Sequence, residues 1–547
     1  MRARAWPLPL ALVSLAFAAS LLLAGALPLI DPDEGRNAEV AREMSVGGDL
    51  VIPHLAGMPY LDKPPAFFWA TALAIRLLGP TPLAARLPAA LAAALTLLAL
   101  AHLALRQSGR RLALRAVALL AAAPLFAVLS AYCIFDMPLT LCVTVLWTAL
   151  ARELSEGALP RRRAAMFAAV TLGVLLKGPV MLAWALGGSL AAALLLRRRD
   201  PLRWLAWWPG WLMVAGLAGG WFALATARHP EYPHYAFVEE TFERLSRGTF
   251  HREQPWWFMP AVLIIGTLPW SLATPWRDLR AGASPVRDPA SRRMLDAHGV
   301  ALGFVLFGVV FFTLSHSKLV TYCLPALPPL AWLAAAAWND PRPHRWPALM
   351  LAGLFGALGV ACLVGRGGWL QALSQAPASS GVETGRALGL ALLGAAMLGL
   401  AAAMTRRPGL AFVTTLLFAP IALGTGRPLA AAYAATQSGA PLAHAIAAAG
   451  GGPVRYEACY SPGTDYLLGH GGTLVATGDA WITSNYQLRY RAALAARGGW
   501  TPLAADAPTP GARVVVRPAS SPGDPPAGWT ECFHDRRFVA FRADATP

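Results

Sequence analysis

Blocks of apolar residues about twenty long recur along most of the chain, and no other feature restricts its fold as strongly. A helix of that length crosses roughly 30 Å of hydrocarbon while pairing its own backbone N–H and C=O groups, which lipid cannot do for it. Read in order, the blocks place spans near 8–30, 82–105, 116–134, 136–151, 164–177, 179–196, 204–225, 257–275, 297–314, 319–338, 346–364, 386–404 and 409–426. The expected fold is a polytopic α-helical membrane protein with about thirteen transmembrane helices. An outer-membrane barrel would alternate over shorter segments. Composition agrees, because 56% hydrophobic and 14% charged residues over 547 positions is too apolar for a soluble protein.

The net charge of +17 would suit a nucleic-acid binder only if it formed one basic surface. Instead the arginines sit between apolar blocks, so no nucleic-acid partner is expected and topology explains them. Arg2 and Arg4, Arg106–Arg115, Arg152–Arg163, Arg197–Arg203, Arg277–Arg293, Arg342 and Arg345, and Arg406 and Arg407 all fall on alternate connections. By the positive-inside rule that side is the cytoplasm. The other side receives two long connections, 31–81 and 226–256, and an odd number of spans puts residues 427–547 there as well. The domain expectation is a transmembrane domain, 1–426, followed by a small extracytoplasmic α/β domain, 427–547. In that tail VRYEACY, TLVATG, ARVVVRP and RFVAFRA read as short strands separated by Gly and Pro turns. The apolar stretch after MRARAWP lacks a convincing small-residue cleavage site and is read as a retained first helix. Six scattered cysteines form no metal or redox motif, and only Cys459 and Cys532 are candidates for pairing.

Lysine usage gives the sharpest chemical cue. The only lysines are Lys63, Lys177 and Lys318, in LDKPP, LLKGP and HSKLVTY, whereas every other permanent side-chain cation is Arg. All three map to the outer face, where a compact ammonium does what a planar guanidinium cannot. Interfacial lysines snorkelling to water are the plain alternative. Acids gather on the same face: Asp31, Asp33, Glu34, Glu39 and Glu43 follow the first span, and Asp136 lies where two apolar blocks meet. Charges at a membrane boundary are costly unless solvated or functional. Helix capping explains Asp31, Asp33 or Asp136 equally well on sequence alone. The second long connection carries His229, His234 and His251, several acids, and Trp256 and Trp257 as interfacial anchors. His251 stands out because it precedes a span and so shares the depth of Asp62 and Lys63.

The strings DPDEGRNAEVAREM, GDLVIPHLAGMPYLDKPPAFFW, LLKGPV, HREQPWWF and SKLVTYCLPALPPLAW resemble bacterial aminoarabinose (4-amino-4-deoxy-L-arabinose) lipid A transferases. These belong to the GT-C type polyprenyl-phosphate-dependent membrane glycosyltransferases, which include protein O-mannosyltransferases. The resemblance implies an inverting transferase that moves a sugar from an undecaprenyl-phosphate donor to an acceptor on the periplasmic face of the bacterial inner membrane. It implies catalytic acids at Asp33, Glu34 and Asp136, and donor-phosphate contacts from Arg36, Lys63, Lys177, Lys318 and Tyr322. It also implies a divalent metal, zinc or magnesium, on Asp62 and His251, although this chain has Asp where those enzymes often have Glu before the lysine. The implied partners are a polyprenyl-phosphate-linked sugar, a lipid A or glycoprotein acceptor, and membrane lipids. Two rival expectations are a lipid-linked-sugar flippase, which calls for charges near the bilayer midplane and related chain halves, and a plain membrane anchor for the C-terminal domain.

Overall fold

The computed structural model describes residues 5–243, 253–276, 289–338, 345–365, 378–475, 481–503 and 511–543. Each of the thirteen expected spans falls on helix. Among the described residues, nine match helices long and apolar enough to cross a membrane, from Pro7–Ala26 to Pro408–Gln437. The other four differ for visible reasons. Proline divides two of them: 116–134 is a pair of helices, Arg110–Ala121 and Pro124–Leu129, and 257–275 is another pair, Phe258–Gly266 and Trp270–Ala273. Pro124 opens the second member of one pair and Pro269 precedes that of the other, as suits a residue that cannot donate within a helix. The remaining two, Pro160–Lys177 and Val180–Leu196, are a helix with an arginine-rich first turn and a shorter apolar helix.

The first long connection is more ordered than a loop. It holds a helix at Asp33–Gly47, a small antiparallel hairpin of β1 (His54–Leu55) and β2 (Met58–Pro59), and a second helix at Ala66–Leu78. The last membrane helix also overruns the expected domain boundary at 426. Phe418–Gln437 carries Arg427 and Pro428 within it and continues through apolar AAAYAA.

Beyond that helix the C-terminal domain forms one five-stranded mixed sheet. Its strands are β3 (Val454–Glu457), β4 (Thr473–Val475), β5 (Val514–Pro518), β6 (Trp529–His534) and β7 (Phe538–Ala543), in the order β4-β3-β5-β7-β6. β3 pairs in parallel with β4 and β5, and the β6/β7 hairpin adds antiparallel to β5. All four expected strand runs are present; β6 is additional. Cys459 and Cys532 are free thiols.

Buried arginine–glutamate pairs join these parts. Arg86, in the Pro82–Gln107 helix, grips Glu34 with Nε (2.8 Å) and Nη2 (2.6 Å). Its guanidinium also donates to the carbonyls of Ala24, Leu27 and Pro28, so one side chain closes the C-terminal end of the first helix. Arg42 grips Glu39 with the same fork geometry, at 2.7 and 2.6 Å, and reaches the Gly469 carbonyl of the C-terminal domain. Close backbone approach completes the docking. A Cβ on Gly35 would lie 1.9 Å from Asp31 Oδ1 and 2.7 Å from the Gly463 nitrogen, so only glycine fits there.

Candidate active site at the helix ends

Asp136 begins one helix, Asp136–Glu156, and Lys177 ends the next, Pro160–Lys177. The two run antiparallel through a three-residue connection, so the first residue of one meets the last residue of the other. There the Lys177 ammonium donates to Asp136 Oδ1 and sits over the Tyr322 ring, 4.7 Å from its centroid. Each charge suits its helix terminus, the anion at a start and the cation at an end. Asp136 is the first residue of its helix, one past the N-cap position held by Phe135, and its Oδ1 accepts from Lys177. At the opposite end of the same helices, Arg106, Arg152, Arg162 and Arg163 pair with Glu153 and Glu156.

A cavity of about 250 Å³ opens beside Lys177. Its polar wall holds Asp62, Lys63, Asp136, Lys177, Glu240 and Tyr322; its apolar wall includes Trp184, Phe222, Phe311 and Phe312. Lys63 donates to its neighbour's carbonyl, Asp62 O, at 2.7 Å and forms an ion pair with Glu240. The cavity therefore holds two lysines from distant parts of the chain, each beside a carboxylate and facing an apolar wall.

Asp33 and Arg36 do not line this cavity but stand next to it. Arg36 Nη2 bonds Asp33 at 2.6 Å, and its Nη1 donates to the Thr483 carbonyl at 2.8 Å. Burial works against the Arg36 charge, yet the neighbouring Tyr60, Asp33 and Asp62 hold its pKa above the usual value. Burial pushes the Tyr60 phenol up, and that phenol feels Arg36, Asp62, Asp33 and Glu240 together, which links the Asp33–Arg36 pair to the cavity wall. Asp33 is the first residue of its helix and 56% exposed, so its carboxylate is open to an acceptor.

Glu34 and Lys318 are placed otherwise. Glu34 is fully buried and accepts from Arg86, from the Ile30 N–H at 3.0 Å and from the Cys133 N–H at 2.7 Å. Those bonds occupy both its oxygens away from the cavity. Lys318 is buried and donates to the Gln254 carbonyl at 2.9 Å, and it is not among the cavity-lining residues.

Asp62 bears on the metal expectation. Its Oδ1 accepts from Tyr235 Oη (2.7 Å) and the Tyr486 N–H (2.8 Å), and its Oδ2 from the Asn485 N–H (3.1 Å). Both oxygens are thus committed to the Tyr235 hydroxyl and to the Asn485–Arg489 helix of the C-terminal domain. His251 lies outside the described residues. Among the described residues, no group of three or more His, Cys, Asp and Glu side chains could hold a metal ion. Asp62 thus has no carboxylate oxygen without a hydrogen bond.

Sequence reasoning missed Glu240, Tyr235 and the docking segment 483–490. Glu240 lies in a run with Glu239 and Glu243, where spacing gives no reason to prefer one acid. In the structure it is the acid paired with Lys63, while Glu239 turns to the C-terminal domain and accepts from Arg489 and Tyr490 Oη.

Comparison with known proteins adds to this geometry. Residues 62–220 match the family model described as dolichyl-phosphate-mannose-protein mannosyltransferase. An undecaprenyl phosphate-alpha-4-amino-4-deoxy-L-arabinose arabinosyl transferase of Aeromonas salmonicida is 30% identical over 396 residues, covering 68% of each chain. One of the same name from Pectobacterium carotovorum is 33% identical over 316 residues, covering 56% of this chain and 55% of the relative. The fold resembles ArnT from Cupriavidus metallidurans bound to undecaprenyl phosphate, with a TM-score of 0.78 at 22% identity over 98% of both chains. The same protein in the apo state gives 0.73 at 21% identity, covering 97% of this chain and 96% of that one.

Proposed function

Because the chain belongs to the family of undecaprenyl phosphate-alpha-4-amino-4-deoxy-L-arabinose arabinosyl transferases, we propose that it moves an aminoarabinose-type sugar from a polyprenyl-phosphate donor to a lipid A phosphate. The observation that carries this reading is the meeting of Lys63 and Lys177 in one cavity whose other wall is aromatic and apolar. Two ammonium groups suit a phosphate, and the apolar wall suits the first isoprene units.

The donor already holds a good leaving group, so the site has mainly to position it and to stabilise charge on the departing phosphate. Lys63 and Lys177 take that role, with Tyr322 holding the Lys177 ammonium in place. An acceptor oxygen forms the new bond to the anomeric carbon as the bond from that carbon to the phosphate oxygen breaks, with inversion. Polyprenyl phosphate leaves with the bonding pair. A lipid A phosphate is already ionised, so Asp33 and Arg36 would orient it without removing a proton. A hydroxyl acceptor would instead need Asp33 as general base. Glu34 in this scheme belongs to the framework and not to the reacting groups.

The cavity lies at helix ends and not halfway along the spans, which supports transfer at one membrane face over transport through the midplane. That face is the periplasmic one, since the arginine-rich connections gather at the other end of the helices. The test is mass spectrometry of lipid A and of envelope glycoproteins from cells with and without the protein. Loss of a lipid A pentosamine is expected. Unchanged lipid A with loss of a protein-linked sugar would overturn the acceptor assignment and favour the hydroxyl route.

A further inference from the structure

The two cavity lysines are not equivalent, and the difference lies in their carboxylate partners. Asp136 is fixed: it is the first residue of a long helix, its short side chain is 5% exposed, and the helix N-terminus favours its charge. Glu240 has a longer side chain and sits near the end of the short His234–Glu243 helical segment, 13% exposed and facing the same cavity as Lys63. A half-buried ammonium next to an apolar wall needs a counter-ion, and in this structure Glu240 supplies it.

The two sides of this pair are held by one part of the C-terminal domain. Asp62, next to Lys63, accepts from the backbone N–H groups of Asn485 and Tyr486. Glu239, next to Glu240, accepts from Arg489 and from Tyr490 Oη. The segment 485–490 therefore anchors, through their side chains, the residues next to Lys63 and Glu240 on either side of the pair.

We propose that Glu240 is a positioning residue that occupies the Lys63 ammonium in the donor-free site and gives it up to the phosphate of the polyprenyl carrier. The proposal rests on the reading of the cavity as the carrier-phosphate site. No covalent step is involved, because the hydrogen bonds of Lys63 Nζ pass from a carboxylate oxygen to a phosphate oxygen. Undecaprenyl phosphate, a monoester, carries between one and two negative charges near neutral pH and so competes well against a single carboxylate, whereas the sugar-bearing donor, a diester, carries one and competes less strongly. Glu240 thus keeps Lys63 pointed into the cavity at a cost in carrier affinity.

The test is a binding cycle on the full-length protein in lipid nanodiscs, with undecaprenyl phosphate as the probe and four forms: wild type, Glu240→Gln, Lys63→Ala and the double variant. Glu240→Gln is expected to bind the carrier about two- to tenfold tighter, as removal of a competing half-buried ion pair predicts. In the Lys63→Ala background the same change should alter binding by less than about twofold, since there is no ammonium left to release. In transfer assays Glu240→Gln should lower KM for the donor. Glu240→Asp, with a shorter reach, should fall between glutamine and wild type. Unchanged or weaker binding by Glu240→Gln while Lys63→Ala still weakens it would overturn the exchange alone. Equal tightening with and without Lys63 would overturn it too, as a general charge effect. If Lys63→Ala leaves carrier binding unchanged, the phosphate site itself is wrong and the exchange falls with it.

Discussion

The helix that opens the first long connection and the cavity beside it both hold acid–base pairs, but of different kinds. In the helix, Glu34–Arg86 and Glu39–Arg42 are forked arginine pairs whose side chains are 0–8% exposed and whose spare donors end on backbone carbonyls. In the cavity, Lys63–Glu240 and Lys177–Asp136 join single ammonium groups to carboxylates with 5–18% exposure. Arginine forks satisfy several acceptors at once and fix chain segments in place. A lysine has rotatable donors that can be handed from one anion to another. The arginine pairs hold the fold together, while each lysine pair keeps a single ammonium at the cavity wall.

Removing half of a framework pair gives the largest expected effect. Arg86→Ala strands Glu34 and the carbonyls of Ala24, Leu27 and Pro28, and should cost about 3–5 kcal/mol. The yield of monodisperse protein and its thermal melt in detergent would show this. Glu34→Gln should also destabilise. A Glu34→Gln protein with a wild-type melt but no transfer would break the comparison, because Glu34 would then be catalytic.

Next come the cavity lysines. Lys63→Ala and Lys177→Ala should fold, yet reduce transfer about 10²-fold or more, the scale of losing a preorganised charge at a reacting phosphate. Comparing kcat/KM with the melt separates this from a folding defect. Lys177→Arg keeps the charge but not the seat over Tyr322, and should restore only part of the rate. Lys318 is the internal control. Its ammonium serves the Gln254 carbonyl, so Lys318→Ala should cost about 1–3 kcal/mol of stability and far less transfer than the other two. A loss of transfer equal to that of Lys63→Ala would return Lys318 to the site.

The smallest effect concerns pH at the framework interface. Asp465 is buried beside Glu39 and Arg42 and accepts from Tyr456 Oη at 2.8 Å and the Gly472 N–H at 2.9 Å. Burial pushes its carboxyl from 3.8 up to about 7, with further upward pressure from Glu43. A carboxyl raised on folding stabilises fully below its unfolded value, and that contribution is lost as pH rises through the folded value. Between pH 5 and 8 the wild type should therefore lose roughly 1–2 kcal/mol more stability than Asp465→Asn, read from melts of both forms. Parallel slopes would mean that Asp465 does not titrate in this window.

Much of the architecture can be read from the sequence, because membrane spans are local features of length and polarity. The apolar blocks fall on helices, and the prolines that split two of them are visible at positions 124 and 269. The lysines are legible by their rarity, and two of the three meet in the cavity. The partners of the acids are not legible. Glu34 finds Arg86 across 52 positions and Asp62 finds Tyr486 across 424, and these are pairings that only the folded chain creates. That is why Glu34 resembles Asp33 in the string DPDEGR but is buried in the framework while Asp33 stays exposed. The end of the last membrane helix is hard to read for a different reason: Arg427 and Pro428 look like a stop, yet an alanine-rich continuation extends the helix to Gln437.

The most direct test of the central claim is a transfer assay with purified protein in nanodiscs, a polyprenyl-phosphate-linked aminoarabinose and lipid A, with product followed by mass spectrometry. The wild type should form pentosamine-modified lipid A, whereas a folded Lys63→Ala/Lys177→Ala protein should form none above background. Wild-type transfer by the double variant would contradict the account, since the sugar would then be transferred without the two charges that define the cavity.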